Sequence, residues 1–174
     1  MTVRLPPSYA HRVPTFDASA VDCRVNVFVE GMASAFGHDA TLRVTNLSLD
    51  VGQDDGVTAD FDPTSLRVVN DISDSNRRDI EKNAQKTLEP RKYPKIQFRS
   101  VKVVRDGARA RVEGDLTLHG VTNPISLDAH DDGKRWNAKV VLDQRKYGIK
   151  PFSGMLGALK IKPEVEVNIS VPHP

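Results

Sequence analysis

Side chains that could bind a metal ion are few and widely separated in this sequence. The chain has one cysteine, Cys23, and five histidines, which are His11, His38, His119, His130 and His173. No pair of them has the spacing of a zinc motif, and one thiol cannot build a thiolate site. His38 and His119 both fall at predicted strand ends and could meet, but we expect their rings to hydrogen-bond to turn backbone. The sequence therefore predicts no metal and no cofactor.

Residues for catalysis are equally scattered. The sequence has no GxSxG elbow, HExxH helix, P-loop or GxGxxG turn. The carboxylate pairs Asp54-Asp55 and Asp131-Asp132 each precede a glycine, which is typical of turns. An enzyme that used an interior cavity would need a polar side chain with a perturbed pKa inside it. Asp115, His119 and Asp143 are the candidates for that alternative, but the pattern favours a protein that is not an enzyme.

One segment has the composition of a ligand entrance. Three glycines and a proline interrupt regular structure between residues 147 and 159. Apolar side chains fill the rest, and the candidates for ligand contact are Ile149, Phe152, Met155, Leu156 and Leu159. No acidic residue occurs between positions 145 and 162, so Arg145, Lys150 and Lys160 could face a phosphate or carboxylate head group. The alternative is a loop folded over one end of the domain with solvated lysines.

The elements that would position these residues are mostly β-strands. Apolar residues alternate with polar ones along most of the chain after residue 22, and turn signals such as residues 53–56 separate the runs. A change of parity near Asn46 predicts a bulge or bend. Residues 74–89 instead have helical spacing, with Ser73 or Asp74 as the cap and a thin apolar stripe suited to closing over something. About eight antiparallel strands and one helix indicate an all-β sandwich or barrel.

A barrel of this size is either filled by side chains or holds one small ligand. The apolar candidates for its inner wall are Phe28, Leu42, Val44, Phe61, Phe98, Leu116, Leu118 and Val140. The alternative is that these residues pack a dry core, because apolar strand faces usually do. Parity alone does not show which face of a strand points inward.

Two stretches of sequence carry a family resemblance. Residues 93–100 read YPKIQFRS and residues 114–124 read GDLTLHGVTNP. They resemble the YceI-like family, whose pattern is roughly YPxIxFxS followed by GDLTxHGVTxP. Further agreement comes from Arg78-Asp79, Phe36-Gly37-His38-Asp39, Tyr147-Gly148-Ile149 and Val165-Glu166-Val167. Residues 148–160 depart from the family's pattern and indicate a distinct subgroup.

The resemblance implies an eight-stranded antiparallel β-barrel of lipocalin-like shape that binds an isoprenoid or another lipid. Residues 1–18, with three prolines, are predicted as an irregular arm before a single domain of residues 19–174. The leading prediction is thus a non-enzymatic protein that holds a hydrophobic molecule, an isoprenoid or fatty-acyl lipid. A cavity enzyme and a packed barrel that binds other proteins are the alternatives.

Charge and composition exclude several classes of partner. The net charge is +2, which gives no case for nucleic-acid binding, and no apolar run approaches the ~20 residues of a membrane span. The first 70 residues have 5 basic and 9 acidic side chains, whereas the remainder has 20 and 14. The N-terminus lacks the pattern of a secretory signal, so a cytoplasmic location is expected. An exposed edge strand or the apolar loop could support a homodimer.

Overall fold

The structure is a computed structural model that describes residues 13–32 and 39–173. These residues form β1 (Thr15–Asp17), β2 (Asp22–Val27), β3 (Val29–Glu30), β4 (Ala40–Val44), β5 (Leu47–Val51), β6 (Val57–Phe61), β7 (Leu66–Val68), α1 (Asp74–Leu88), β8 (Ile96–Asp106), β9 (Arg109–Leu118), β10 (Val121–Asp131), β11 (Arg135–Asp143), β12 (Ser153–Gly154), β13 (Leu159–Ile161) and β14 (Glu164–Pro172). Most of the predicted arm, residues 1–12, lies outside the described residues. The described part of the predicted arm is not wholly irregular, because it contains β1, which pairs with β5.

Eleven of the strands form one antiparallel sheet that curls into a barrel-like shape. Its order is β1-β5-β6-β8-β9-β10-β11-β14-β2-β4-β7. β4 and β5 lie towards opposite ends of this order, yet only Thr45 and Asn46 separate them in the chain. The two ends of the sheet must therefore come together. This confirms the all-β barrel class, and the predicted count of eight strands was only approximate because short strands such as β1 and β7 complete the sheet.

The parity change near Asn46 has a different cause from the predicted bulge. β4 pairs with β2 and β7, whereas β5 pairs with β1 and β6. The chain thus passes from one end of the sheet to the other at Asn46, whose backbone carbonyl accepts a hydrogen bond from the Asp62 amide. Leu42 and Leu47 can both be buried although their parities differ, because they belong to separate strands.

Helix α1 begins where the sequence predicts and ends one residue earlier than predicted. Ser73 caps it by accepting a hydrogen bond from the Asn76 amide, and Glu89 ends it in a left-handed conformation. Its side chains bond to the edge of β7 that none of the described strands covers. Glu81 accepts from the Val68 amide, and Arg77 donates to the Val68 carbonyl. The helix therefore covers a strand edge that would otherwise be exposed.

The sequence motif of residues 93–124 contacts the C-terminal end of α1. His119, in the turn between β9 and β10, hydrogen-bonds to Glu89 at 2.8 Å, and its ring centroid lies 4.1 Å from that of Tyr93. Gly120 has φ +76°, and a Cβ there would lie 2.6 Å from the Tyr93 ring. The left-handed backbone and the close contact with Tyr93 both require glycine at position 120. These motif residues therefore act in the fold, by fastening the helix to the β9–β10 turn.

Candidate ligand-binding cavity

The barrel encloses a cavity of about 580 Å³, which runs along its interior. Ligand sites in proteins commonly have volumes of about 300–1,000 Å³. Several inward-facing side chains of the long strands are only half-buried, although they belong to the apolar interior. Val140 and Val167, for example, are cross-strand neighbours that both line the cavity and pack against the core. The barrel is thus hollow along these strands.

The wall of the cavity is largely aliphatic. It contains four aromatic rings, Phe61, Phe98, Trp136 and Phe152. Its polar residues are confined to a small set, which is Asp55, Asp62, Asn76, Asp79, Asn83, Thr87, Arg105 and Gln144. The strands between the two ends carry almost no polar side chain inward, so an apolar tail would meet no unpaired hydrogen-bonding group there.

Antiparallel strand directions define the two ends of the cavity. At one, which we call the helix end, lie α1, the β9–β10 turn and the connection from β11 to β14. The apolar stripe of the helix, Ile80, Ala84 and Leu88, lines the cavity there. This stripe thus covers the chamber, as its sequence pattern suggested. At the other, which we call the Arg105 end, lie the β5–β6, β8–β9 and β10–β11 turns.

The predicted wall residues mostly reach the cavity. Those that line it are Leu42, Val44, Phe61, Phe98, Leu116, Leu118 and Val140. Phe28 does not. It lies between β2 and β3, and the residues of β2 that line the cavity, such as Val25 and Val27, have the opposite parity.

The apolar segment divides into two groups. Ile149, Phe152 and Leu159 line the helix end of the cavity. Met155 and Leu156 do not line it; they are 59% and 109% exposed, and both have positive φ. The segment therefore folds over the barrel end with part of its apolar surface inside and part outside.

The three predicted head-group cations lie away from the cavity. Arg145 donates to Asp143 at 2.8 Å and lies 3.4 Å from Glu164, and these contacts occupy its guanidinium. The hydrogen bond from Arg145 lowers the pKa of Asp143. Lys150 and Lys160 are exposed and do not line the cavity. Glu164 lies 19 positions after Arg145 in the sequence. The charges near Arg145 in the sequence therefore did not identify Glu164 as its partner.

Arg105 is the one basic side chain among the described residues that line the cavity. Its guanidinium carbon lies 4.7 Å from the centre of the Trp136 ring, and Nη1 lies 3.6 Å from Asp55 Oδ1. Sequence reasoning missed Arg105 because β8 has a bulge between Ser100 and Lys102, which changes the inward parity. Phe98 before the bulge and Arg105 after it therefore face the same interior.

The residues considered for catalysis or metal binding do not meet in the cavity. Asp115 is exposed, His119 is bound to Glu89, and Asp143 is bound to Arg145. Within the described residues, no three His, Cys, Asp or Glu side chains form a group that could hold a metal ion. His11 and His38 lie outside those residues. In the same part of the chain, no helix has the length and apolar character needed to cross a bilayer.

The fold and the cavity together define the class of protein. It is a β-barrel protein in which one curled sheet surrounds an apolar chamber. The profile of the family described as YceI-like domain matches residues 11–172. The chain belongs to the YceI-like family.

Known relatives fit this assignment. The chain is 34% identical over 105 residues to a UPF0312 protein of Vibrio parahaemolyticus, a match that covers 59% of this chain and 49% of that protein. It is 40% identical over 58 residues to Protein YceI of Escherichia coli O157:H7, covering 32% and 30%. The matched region thus spans half or less of these relatives' length.

Two solved structures share the fold at low sequence identity. Burkholderia cenocepacia BcnA has a TM-score of 0.67 and 12% identity, over 91% of this chain and 99% of that one. A polyisoprenoid binding domain from Saccharophagus degradans, implicated in plant cell wall breakdown, has a TM-score of 0.58 and 16% identity, over 89% and 99%.

Proposed function

We propose that this protein is a non-enzymatic binding protein that holds a hydrophobic molecule, an isoprenoid or fatty-acyl lipid, inside the barrel. The observation that carries the proposal is the cavity of about 580 Å³ with an aliphatic wall. A barrel that served only as an interaction surface would have this volume filled by side chains, since protein interiors are normally close-packed.

The shape of the chamber suits a long, flexible tail. From Ile96 to Arg105, which both line the cavity, β8 spans about 30 Å at ~3.3 Å per residue. With the ~40° tilt of barrel strands, this corresponds to roughly 23 Å along the barrel axis. Burial of an apolar tail of this length is favourable at about 25 cal/mol per Å² of surface removed from water.

The proposed wall consists of the apolar residues at the cavity surface, with Leu42, Leu116 and Val140 in the strands and Ile149, Phe152 and Leu159 at the helix end. The fold shared with a polyisoprenoid binding domain supports this class of ligand. The cytoplasmic location and the homodimer stay predictions. The free edge of β7 is poorly suited to pairing with a second copy, because side chains of α1 already bond to its main-chain groups.

Native mass spectrometry of protein purified without detergent tests the proposal. We expect a co-purified molecule whose mass corresponds to a lipid and which is released under denaturing conditions. After delipidation, the neutral fluorescent probe N-phenyl-1-naphthylamine should bind and be displaced by long-chain alcohols. A folded, ligand-free protein that binds neither the probe nor any long-chain compound would contradict the proposal.

A further inference from the structure

We infer that the Arg105 end of the cavity is a head-group site for an oxyanion, a carboxylate or phosphate carried by an amphiphilic ligand. The inference rests on the proposed function, because it assigns an orientation to the ligand in the same chamber. The tail would extend from Arg105 towards α1. This replaces the three cations at the helix end that the sequence suggested.

The position of Arg105 suits contact with a head group. Its side chain is 46% exposed and also lines the cavity, so its guanidinium lies where the chamber meets solvent. Trp136 packs against the guanidinium at 4.7 Å, which restricts the orientation of the guanidinium plane. A charged head group here would keep contact with water while its tail is buried, which avoids the cost of burying an unpaired charge.

The hydrogen-bond donors of Arg105 are poorly used within the described residues. Its contact with Asp55 is 3.6 Å, longer than the ~2.7–2.9 Å of a strong charge-assisted hydrogen bond. Arg135 provides a comparison, since it donates to the Ser170 hydroxyl and carbonyl, both at 2.7 Å. An exposed ion pair such as Arg105–Asp55 contributes only about 0–1 kcal/mol. A ligand oxyanion can therefore replace Asp55 at little cost.

The strands beside Arg105 leave room for a head group. In the sheet register, Arg105 lies opposite Ala110, Ala110 opposite Ala129, and Ala129 opposite Ala138. All three alanines line the cavity. The wall next to the guanidinium is thus built from the small side chains of three adjacent strands, at a single level of the barrel.

The helix end has the opposite electrostatic character. Among the described residues, the charged ones that line it are Asp62 and Asp79, and the other polar lining residues there are neutral. Carboxylates at that end would repel an anionic head group, and the basic residues of the nearby loop do not reach the cavity. The charge distribution therefore favours one orientation of an anionic amphiphile.

Matched ligands separate head-group binding from tail binding. Displacement of N-phenyl-1-naphthylamine would give Kd values for palmitate, hexadecyl phosphate and 1-hexadecanol, which share the tail and differ in the head. We expect the wild-type protein to bind one or both anions about tenfold more tightly than the alcohol. Comparison of the Kd for palmitate with the Kd for hexadecyl phosphate shows which oxyanion the site prefers.

Two substitutions should change this preference in opposite directions. Arg105→Gln should abolish the preference, measured as the ratio of the Kd for each anion to the Kd for hexadecanol. Asp55→Asn should increase the preference several-fold, because it removes a competing carboxylate; asparagine also tolerates the φ of +61° at this position. Arg145→Gln, a substitution of an arginine outside the cavity, is the control and should leave the preference as in wild type.

The outcomes distinguish this inference from the proposed function. Equal affinity of the wild-type protein for all three ligands, or a preference that survives in Arg105→Gln, would overturn the head-group site while tail binding stands. Failure of the folded protein to bind any of the three would refute the proposed function and the head-group site together. Far-UV circular dichroism and a cooperative urea transition show independently that Arg105→Gln is folded.

Discussion

Replacing Ala138 with leucine tests whether the chamber is hollow. Ala138 lies on β11 with its side chain at the cavity wall, between Ala129 and Ile169 on the neighbouring strands. Leucine adds three carbon atoms to the lining. If they displace three methylene-sized groups of bound hexadecanol, binding loses about 2.4 kcal/mol at ~0.8 kcal/mol per group, which is roughly a 50-fold increase in Kd.

Stability should respond differently. In a close-packed interior the extra atoms would cost about 1–3 kcal/mol of unfolding free energy. In an open chamber they meet no neighbour, so the unfolding free energy of the ligand-free protein should stay the same or rise by up to ~1 kcal/mol through burial of apolar surface. Urea denaturation and 1-hexadecanol titration of the same samples measure both quantities.

The outer face of the same strand provides the control. Val141 is 59% exposed, so Val141→Leu should change neither the Kd nor the stability. If Ala138→Leu lowered the unfolding free energy by 1 kcal/mol or more and left the Kd for hexadecanol unchanged, the interior at this level would be filled and the reasoning wrong.

Three further predictions concern the wall, the charges and the thiol. Glu81→Ala should lower the unfolding free energy by about 1–2 kcal/mol in urea denaturation because the Val68 amide loses its acceptor, and an effect no larger than that of exposed Lys82→Ala would contradict this. The pKa of Asp143 lies below its usual 3.8, so its stabilising effect is present above that pH and lost as the pH falls through the folded pKa. Asp143→Asn should therefore flatten the pH dependence of the urea midpoint between about pH 5 and 3, and an unchanged slope would count against the ion pair. Burial raises the pKa of Cys23 to about 12, so hardly any folded molecule has a thiolate at pH 8, and dithionitrobenzoate should label the thiol only on unfolding; complete labelling of native protein within minutes would disagree.

Local signals in the sequence accounted for the helix and for the long hairpins. Ser73, the spacing of Ile80 and Ala84, and Pro90 act within a few residues of one another, and they determine where α1 begins and ends. Turn residues likewise separate β8 to β11. The number of strands was harder to predict, because three-residue strands such as β7 form only when the sheet curls and brings them a partner.

The inner face of the barrel depended on features that alternation does not reveal. The bulge between Ser100 and Lys102 reverses the parity of β8, so Arg105 faces inward although the pattern before the bulge would place it outward. In the same way, the charge of Arg145 was evident from the sequence, but its contact with Glu164 depends on the pairing of β11 with β14.

The seam between β7 and α1 has a consequence for the range of ligands. Elsewhere the wall is joined by main-chain ladders, and widening it would break several hydrogen bonds at once. At the seam, long flexible side chains such as Arg77 and Glu81 make the connection, so the helix can shift outward while every strand pair stays intact. Accommodation of bulkier or branched tails should therefore occur at the helix. Amide hydrogen exchange should then change with ligand size in Asp74–Leu88 and stay constant in the strands. Together with the head-group site inferred at Arg105, this predicts a protein that discriminates between head groups and tolerates tails of different width.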